Sequence, residues 1–600
     1  MKKILNVFLI ILLCISIFAG CSARVNPEAG EDIGNQLKKE KLEKQDLERA
    51  KQEFLKEYNY QTSIPEELTF GMIGFIGNMN PFYTNNDSSK KINSMLYKPL
   101  FYITTEGFDD KINVVLADEV KYENKKVTIK LKNGLKWHDG KEMTADDVLY
   151  TYGYLVEDNK TVYADYMYLD GNPIKFKKLD KLTVELDLDR YSGSILQKLS
   201  EIKILPKHIF EGKEKEEYTP NESEFLIGNS AYAFSKYRLD ETFNTEVIDF
   251  EYYDNSIYEK PQFEKISLRA SANLYTNRYD LLDYNMQVGY LLPNDSVTFK
   301  RELYKNEIFD EGYDIAMIYK LEHEHVGTSE LRRNIADMLL PSSLTGYFGM
   351  SNYTKAADSI FGITTKHKSP QNAYYNAQTA DVAESIRRYQ VDNDGAVLKF
   401  GFKMEEGEFQ ERIAITSQEL YRTQEINLEI VPLFEEEYVE GLQNTNTEHF
   451  DFALIKHESI KSPDAYRNFY KSDGIMNYTG FDNDEIIKKF DAADAIEDYL
   501  ERQLAYDDLQ KALYEELPMN PLVNVKTSFV YDDRIDASEA VPDAKSYFIY
   551  PEKLAMTAKE VDKSLIEKYE IKEDQLELKP KYNNVNILAK THNEGKVKGE

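Results

Sequence analysis

Residues 127–152, VTIKLKNGLKWHDGKEMTADDVLYTY, constrain the fold more than any other stretch of the chain. Val127, Ile129 and Leu131 alternate with Thr128, Lys130 and Lys132, the period-2 pattern of a strand with one buried face. Asn133-Gly134 predicts a hairpin turn into a second short strand carrying Leu135 and Trp137. Asp139-Gly140 predicts the next turn. Thr144 stands where a helix N-cap belongs, Asp147 three residues on can complete a capping box, and Asp146 with Asp147 complements the positive helix end. The segment therefore reads as strand, turn, strand, turn and capped helix, a mixture of α and β structure.

The amino terminus bears on where such a chain works. Lys2 and Lys3 precede an apolar run from Ile4 to Phe18, and Phe18-Ala19-Gly20-Cys21 closes it with small residues before a cysteine. This is the pattern of a signal peptide over residues 1–20 ending in a lipobox, with Cys21 the expected site of lipidation and Phe18 where leucine is usual. The run is shorter than the ~20 residues a spanning helix needs. Cysteine occurs only at 14 and 21, so cleavage before Cys21 would leave one thiol and no disulfide. Stability must then come from a large hydrophobic core.

The net charge of −31 repels nucleic acid and anionic lipid, which excludes both as partners recognised by charge. Aromatic residues make up 12% of the chain, too many for a disordered one. From Ile33 to about Tyr58 the sequence is charged and helical, with Leu47, Ala50, Phe54 and Tyr58 spaced by three and four and Glu40 placed to pair with Lys44. It predicts either a tether or a helix packed on a folded body. Heptads do not persist, so a monomer is expected.

Further segments repeat one resemblance in order. They are LTFGMIGFIGNMNPF (68–82), MLYKPLFYITTEG (95–107), LADEV (116–120), the WHDG and TADDVLYTY pieces above, ILPKHIF (204–210) and IGNSAYAFSKY (227–237). After them come LRRNIADML (331–339), NLEIVPLFEEEYVEGLQ (427–443), DFALI (451–455), MNYTGFDNDEIIKKFDAA (476–493) and LERQLAYDDLQKALYEELPMNPL (500–522). Together they resemble the extracellular solute-binding proteins of family 5, the oligopeptide-, dipeptide- and nickel-binding receptors of ABC importers. The resemblance spans roughly residues 68–535.

It implies an α/β, two-lobed periplasmic-binding-protein-like fold of type II, with an extra subdomain and two hinge crossings. Residues 21–67 would be the lipidated N-terminus and helical tether, and 68–83, 226–315 and 523–560 lobe I. Residues 84–225 would be the subdomain inserted in lobe I, 316–522 lobe II and 561–600 a polar tail. Tyr313 to Tyr319 and Pro521 to Phe529, short apolar runs, would be the hinge strands. The implied function is capture of an oligopeptide or related small ligand between closing lobes at the outer face of the cell membrane, and delivery to ABC permease subunits. Contacts made only in the closed form would drive closure.

By the same resemblance Ile76, Gly77, Asn78, Met79 and Asn80 would line the cleft, together with the stretch from Lys456 to Ser462 that contains His457, Glu458 and Ser459. Peptide receptors of the family carry a tryptophan and then an amine-capturing aspartate here. This chain has His457 and Ile460 near those places, leaving Glu458 or Asp464 as substitutes.

Two other readings stay open. His323-Glu324-His325 would put two imidazoles on one face of a strand, where they could share a nickel ion or chelate. A peptide-sensing receptor that signals without import is equally compatible with the sequence. Chemistry is not expected. No GxSxG elbow, HExxH helix, P-loop or paired-cysteine metal site occurs, and helix capping accounts for Asp146-Asp147. Neither a cofactor nor a resident metal is expected.

Overall fold

Tyr304–Tyr319 and Met519–Asp532 are the longest strands among the described residues, and they pair antiparallel along most of their length. The computed structural model describes residues 31–572 and Leu576, apart from 85, 107–108, 159, 214, 241–243, 255–256, 274, 292–298, 300–302, 340–343, 345–353, 370–378, 405–408 and 561–563. Cys21 lies outside the described residues. The first long strand is half exposed up to about Gly312 and then becomes the fully buried DIAMIY run; the second is buried almost throughout. Continuous burial on both faces explains why the apolar residues here do not alternate.

These two strands link two hydrophobic cores. Phe309, Phe529 and Tyr531 belong to one, and Ile315 to Tyr319 with Met519 to Val525 to the other. The ladder is irregular between Phe309 and Gly312, where a Cβ on residue 312 would collide with the Val525 carbonyl oxygen. Glycine permits that close approach. The first core draws on residues 68–288 and again on 529–556, the second on residues 315–525.

One large sheet runs through both. In order its strands are Tyr232–Asp240, Thr245–Tyr252, Lys265–Ser271, Leu68–Ile73, Val288–Tyr290, Met519–Asp532, Tyr304–Tyr319, Phe452–Glu458, Leu398–Lys403 and Leu428–Leu433. Leu68–Ile73 is parallel to both neighbours, as is Leu398–Lys403, so each half has its own parallel core. Parallel pairs need crossover connections, and here these carry helices such as Thr276–Leu282 and Phe409–Thr423.

The 127–152 segment differs from its expected form in one respect. Lys126–Leu131 is a central strand of a separate four-stranded sheet, between Ala117–Glu123 and Thr183–Asp187. Its hairpin turn is Asn124-Lys125, both at positive φ (53° and 63°), and not Asn133-Gly134. Residues 135–143 form a tight loop instead of a strand, closed by Trp137 N to Lys141 O (2.8 Å) and Met143 N to Leu135 O (2.9 Å). The capping box is as expected: Thr144 and Asp147 satisfy each other's backbone N–H groups at the start of Ala145–Glu157.

The ends of the chain form a separate unit. Glu31–Thr62 is a single helix, as its periodicity predicts. The stretch after 560 is more than a polar tail: Ser564–Lys568 is a short helix, Tyr569 packs 5.5 Å from Phe54, and Ile571 is buried. Those two apolar residues sit in a segment whose Lys and Glu content masks them.

Candidate functional site

The WHDG…TADD signature builds scaffold. Trp137 is fully buried. Gly228 N donates to His138 Nδ1 (3.1 Å), leaving the proton on Nε2, which donates to the Ser230 carbonyl (3.1 Å). Burial keeps this imidazole neutral, with its pKa lowered to about 4. Asp139 pairs with His208 (2.7 Å), and Asp147 also accepts the Lys207 N–H (3.0 Å). The signature thus pins the PKHIF and GNS segments to the first core. Asn229 N and Ser230 N in turn donate to the Leu96 carbonyl, which fixes the end of helix Asp87–Leu96.

That helix presents Lys90 and Lys91 to a set of charged groups with an unusual combination of properties. Glu458, at the end of Phe452–Glu458, pairs with Lys90 and leaves 45% of its side chain accessible. It nevertheless stands deep in the protein, where burial works against its charge. Lys545 is exposed in the same sense, and Lys91, Lys203, Tyr163 and Tyr166 are half-buried, yet all stand equally deep. Together they form a charged cluster to which both cores contribute.

Their charges act on one another. Burial pushes the Glu458 carboxyl up, but Lys90, Lys545 and Lys91 outweigh it and hold the pKa at about 2. Glu201, then Glu458 and Glu311, raise Lys545. Burial lowers Lys203 to about 8. Tyr166 donates to Glu201 (2.8 Å), and Lys461 pairs with Glu311 (2.8 Å). Glu458, Glu311 and Lys461 come from strands or loops at the second core and the long strand pair. Lys90, Lys91, Tyr163, Glu201, Lys203 and Lys545 come from the side of the first core.

Beside this cluster the two cores are tied directly. Lys198 from helix Ile195–Glu201 bonds Asp464 Oδ2 (2.5 Å), with both side chains 5% exposed or less, and Arg467 takes Oδ1 (2.7 Å). Arg190 Nη1 reaches Asp494 (2.9 Å), whose other oxygen accepts Ser194 N (2.9 Å). Arg502 donates to Tyr191 Oη (3.0 Å), and Lys366 pairs with Asp110. The arrangement is a closed one.

Of the residues expected at the site, Glu458 joins this charged cluster through Lys90. Asp464 has its oxygens taken by Lys198 and Arg467. His457 and Ser459 point to the other face of the sheet, as period 2 requires when Glu458 points inward. His457 packs against Tyr466 and Phe469, and Ser459 Oγ accepts from Asn524 Nδ2 (3.1 Å), which also donates to the buried Asp314 (3.0 Å).

Residues 76–80 spend their polar groups internally. Ile76 N donates to Glu246 (2.6 Å), Gly77 N to Ser89 Oγ (3.0 Å) and Met79 N to the Tyr218 carbonyl (2.9 Å). Asn78 bonds the Glu216 carbonyl and Asn80 N, and the Asn80 amide bonds the Lys215 carbonyl (2.8 Å). Lys91, Glu201, Lys203 and Lys545 went unread because polar residues scattered over three separate segments leave no pattern along the chain.

His323 and His325 are not on a strand. His323 caps and His325 lies within a 3-10 turn, where His323 bonds Asp451 (3.1 Å) and His325 bonds Tyr389 Oη (2.9 Å). Among the described residues no group of three or more His, Cys, Asp or Glu side chains could hold a metal ion. No helix among them is long and apolar enough to cross a membrane.

Comparison with known proteins gives this geometry its context. Residues 111–389 match the model of bacterial extracellular solute-binding proteins, family 5, middle region. The oligopeptide-binding protein AppA of Bacillus subtilis is 24% identical over 523 residues, 80% of this chain and 90% of its own. The crystal structure of the ABC transporter substrate-binding protein CtaP from Listeria monocytogenes superposes with a TM-score of 0.71 at 23% identity, covering 82% of this chain and 99% of that one. AppA from Bacillus subtilis in complex with a nonapeptide superposes with a TM-score of 0.65 at 20% identity, again over 82% and 99%. The fold is that of the two-lobed binding proteins, a mixed α/β sheet crossing between two cores. The chain is thus similar, over residues 111–389 and so a little under half of its length, to the extracellular solute-binding proteins of family 5, and it shares the two-lobed fold of substrate-binding receptors.

Proposed function

We propose that this protein captures oligopeptides between its two cores and delivers them to the permease of an ABC importer. The observation that carries the reading is a cluster of charged side chains to which both cores contribute, with ion pairs tying the two cores beside it. A solute that enters an open cleft and is contacted from both sides stabilises closure through contacts absent from the open form. The name of the Bacillus relative, and the nonapeptide bound to it, supply the ligand class.

In this reading residues 68–83, 226–315 and 523–560 form lobe I, 84–225 its inserted subdomain and 316–522 lobe II, in line with the membership of the two cores. Glu458 is the ligand contact kept from the sequence-based set, and residues 76–80 hold the wall behind it. A lipid on Cys21 anchors the protein, a monomer, to the outer face of the membrane. Native mass spectrometry of protein purified from its host tests the ligand: bound peptides are expected. A non-peptide cargo, with no affinity for any peptide pool, would refute the reading.

A further inference from the structure

One contact between the two cores differs from the other ties in that it hangs on a histidine. Arg502, on the helix Tyr499–Glu516 of the second core, donates from Nη1 to Tyr191 Oη (3.0 Å) of the first. The receiving loop, residues 190–194, is held firmly. Tyr122 stacks on Tyr191 (5.4 Å, 15°), and its hydroxyl bonds both Ser192 N (2.6 Å) and Ser192 O (3.1 Å). A Cβ on Gly193 would run into the Arg502 guanidinium, so glycine leaves open the seat in which that group lies. Beside the seat, Gly193 N and Ser194 N donate across the cores to the backbone carbonyl and the carboxylate of Asp494 (both 2.9 Å).

On its other side Arg502 Nε donates to His367 Nε2 (3.2 Å), while His367 Nδ1 donates to Gln503 Oε1 (3.1 Å). The imidazole is therefore neutral, with its bare nitrogen turned towards a cation. It is also fixed in place. The ring lies against Tyr499 (4.6 Å) and Tyr506 (5.4 Å, 21°), and the His367 carbonyl accepts from Gln510 (2.9 Å) at a backbone φ of 55°.

The charged groups around the ring are Arg502 and Asp507 on the helix, Lys366 and Lys368 on its own segment, Asp110 of the first core, and Asp464 beyond Pro463. Every carboxylate there has another partner. Asp110 pairs with Lys366 and Asp464 with Lys198 and Arg467, while Asp507 accepts from Gln503 and Ser369; Lys368 is held by Asp358. Burial, and after it the charge of Arg502, lower the His367 pKa to about 4. A cavity of about 40 Å³ lies between the ring and the seat, lined also by Ser462 and Pro463, with room for water to bring a proton.

We propose that Arg502 seated on loop 190–194 is a latch that sets how long the two cores stay shut, and that His367 is the positioning residue that aims it and releases it in acid. A proton on Nε2 replaces an acceptor with a donor and sets a second cation against the guanidinium. Arg502 then swings out and the Tyr191 contact is lost. The latch presupposes two cores that open and close, as in the reading above, but not the identity of what they close around.

Hydrogen exchange of the full chain, read by mass spectrometry over residues 190–196 and corrected for the intrinsic rate, measures the opening, because the Gly193 and Ser194 amides are bonded across the cores. Protection there is expected to fall about tenfold or more in G193A, where the new methyl displaces Arg502, and in R502M. The double variant should lose no more than either single one. In the parent, protection should also fall as pH drops from 6.5 towards 4. H367Q, whose amide oxygen accepts from Arg502 without titrating, should remove that dependence.

Unchanged protection in either G193A or R502M would show that the seated guanidinium is not a latch. A pH dependence that survives in H367Q would assign the release to another group and overturn the role of His367. If protection over 190–196 matched that of the core strand 126–131 in every variant, the cores would part only on unfolding, and their opening would fall with the latch.

Discussion

Asp464 and Lys198 are each almost completely buried and hold the two cores together through one charged contact. Removing one partner of such a pair strands the other charge, at a cost of about 3–5 kcal/mol, whereas an apolar pair of similar volume can be nearly neutral. D464N should therefore lower the unfolding free energy by about that amount in urea titrations, and the K198M/D464L double variant, in which Arg467 keeps Asp491 (2.6 Å), should recover part of it. Equal losses in both would show that the contact is not an ion pair in solution.

His138 makes a second prediction at this scale. Its folded pKa of about 4 lies below the ordinary value of 6.5, so between these limits the unfolded chain binds more protons. Stability should fall as pH drops from 6.5 towards 4, and the slope should flatten in H138Q. An unchanged slope would mean that another group titrates there. From sequence, His138 was legible as part of a signature but not as a clamp, since its partners Gly228 and Ser230 lie some 90 positions away. For the same reason Asp464 could be read as free for a ligand: nothing local announces Lys198.

Helices and strands were more legible than the contacts between them. The capping box at Thr144 and the apolar crossovers at 313–319 and 521–529 are local patterns, and each forms as its residue types dictate. Errors arose where tertiary pairing chose between equivalent local signals. Asn133-Gly134 is a strong turn sequence, yet Ala117–Glu123 offers the better partner strand, and the hairpin forms at Asn124-Lys125 instead. The stretch 457–459 was assigned to one surface, although a strand sends alternate side chains to opposite faces. Gly312 tests the account of the long strand pair. G312V should destabilise the protein by about 1–3 kcal/mol through overpacking against the Val525 carbonyl. A melting temperature matching that of the parent would show that the close approach is absent.

At the level of the molecule, the ordered resemblance made the two-lobed architecture readable, while the composition of the charged cluster was not, because it is assembled from loops and helix ends of both cores. Its acid–base character predicts a pH dependence of stability. Burial lowers Lys203 to about 8, against the influence of Asp543 and Glu201 and with that of Lys98 and Lys545. Between that value and the ordinary 10.5 the unfolded chain binds more protons, so stability in urea titrations should rise with pH across this window, less so in K203M.

The central claim is that the two cores close on a ligand, and the distance between them measures it most directly. Cysteine occurs only at 14 and 21, so spin labels at L239C and V391C, exposed positions on the first- and second-core sides, would be unique in the folded body. Pulsed dipolar spectroscopy should show a broad or two-component distance distribution without ligand and a single shorter one at saturation with bound cargo. Identical distributions with and without a ligand shown to bind would contradict the account.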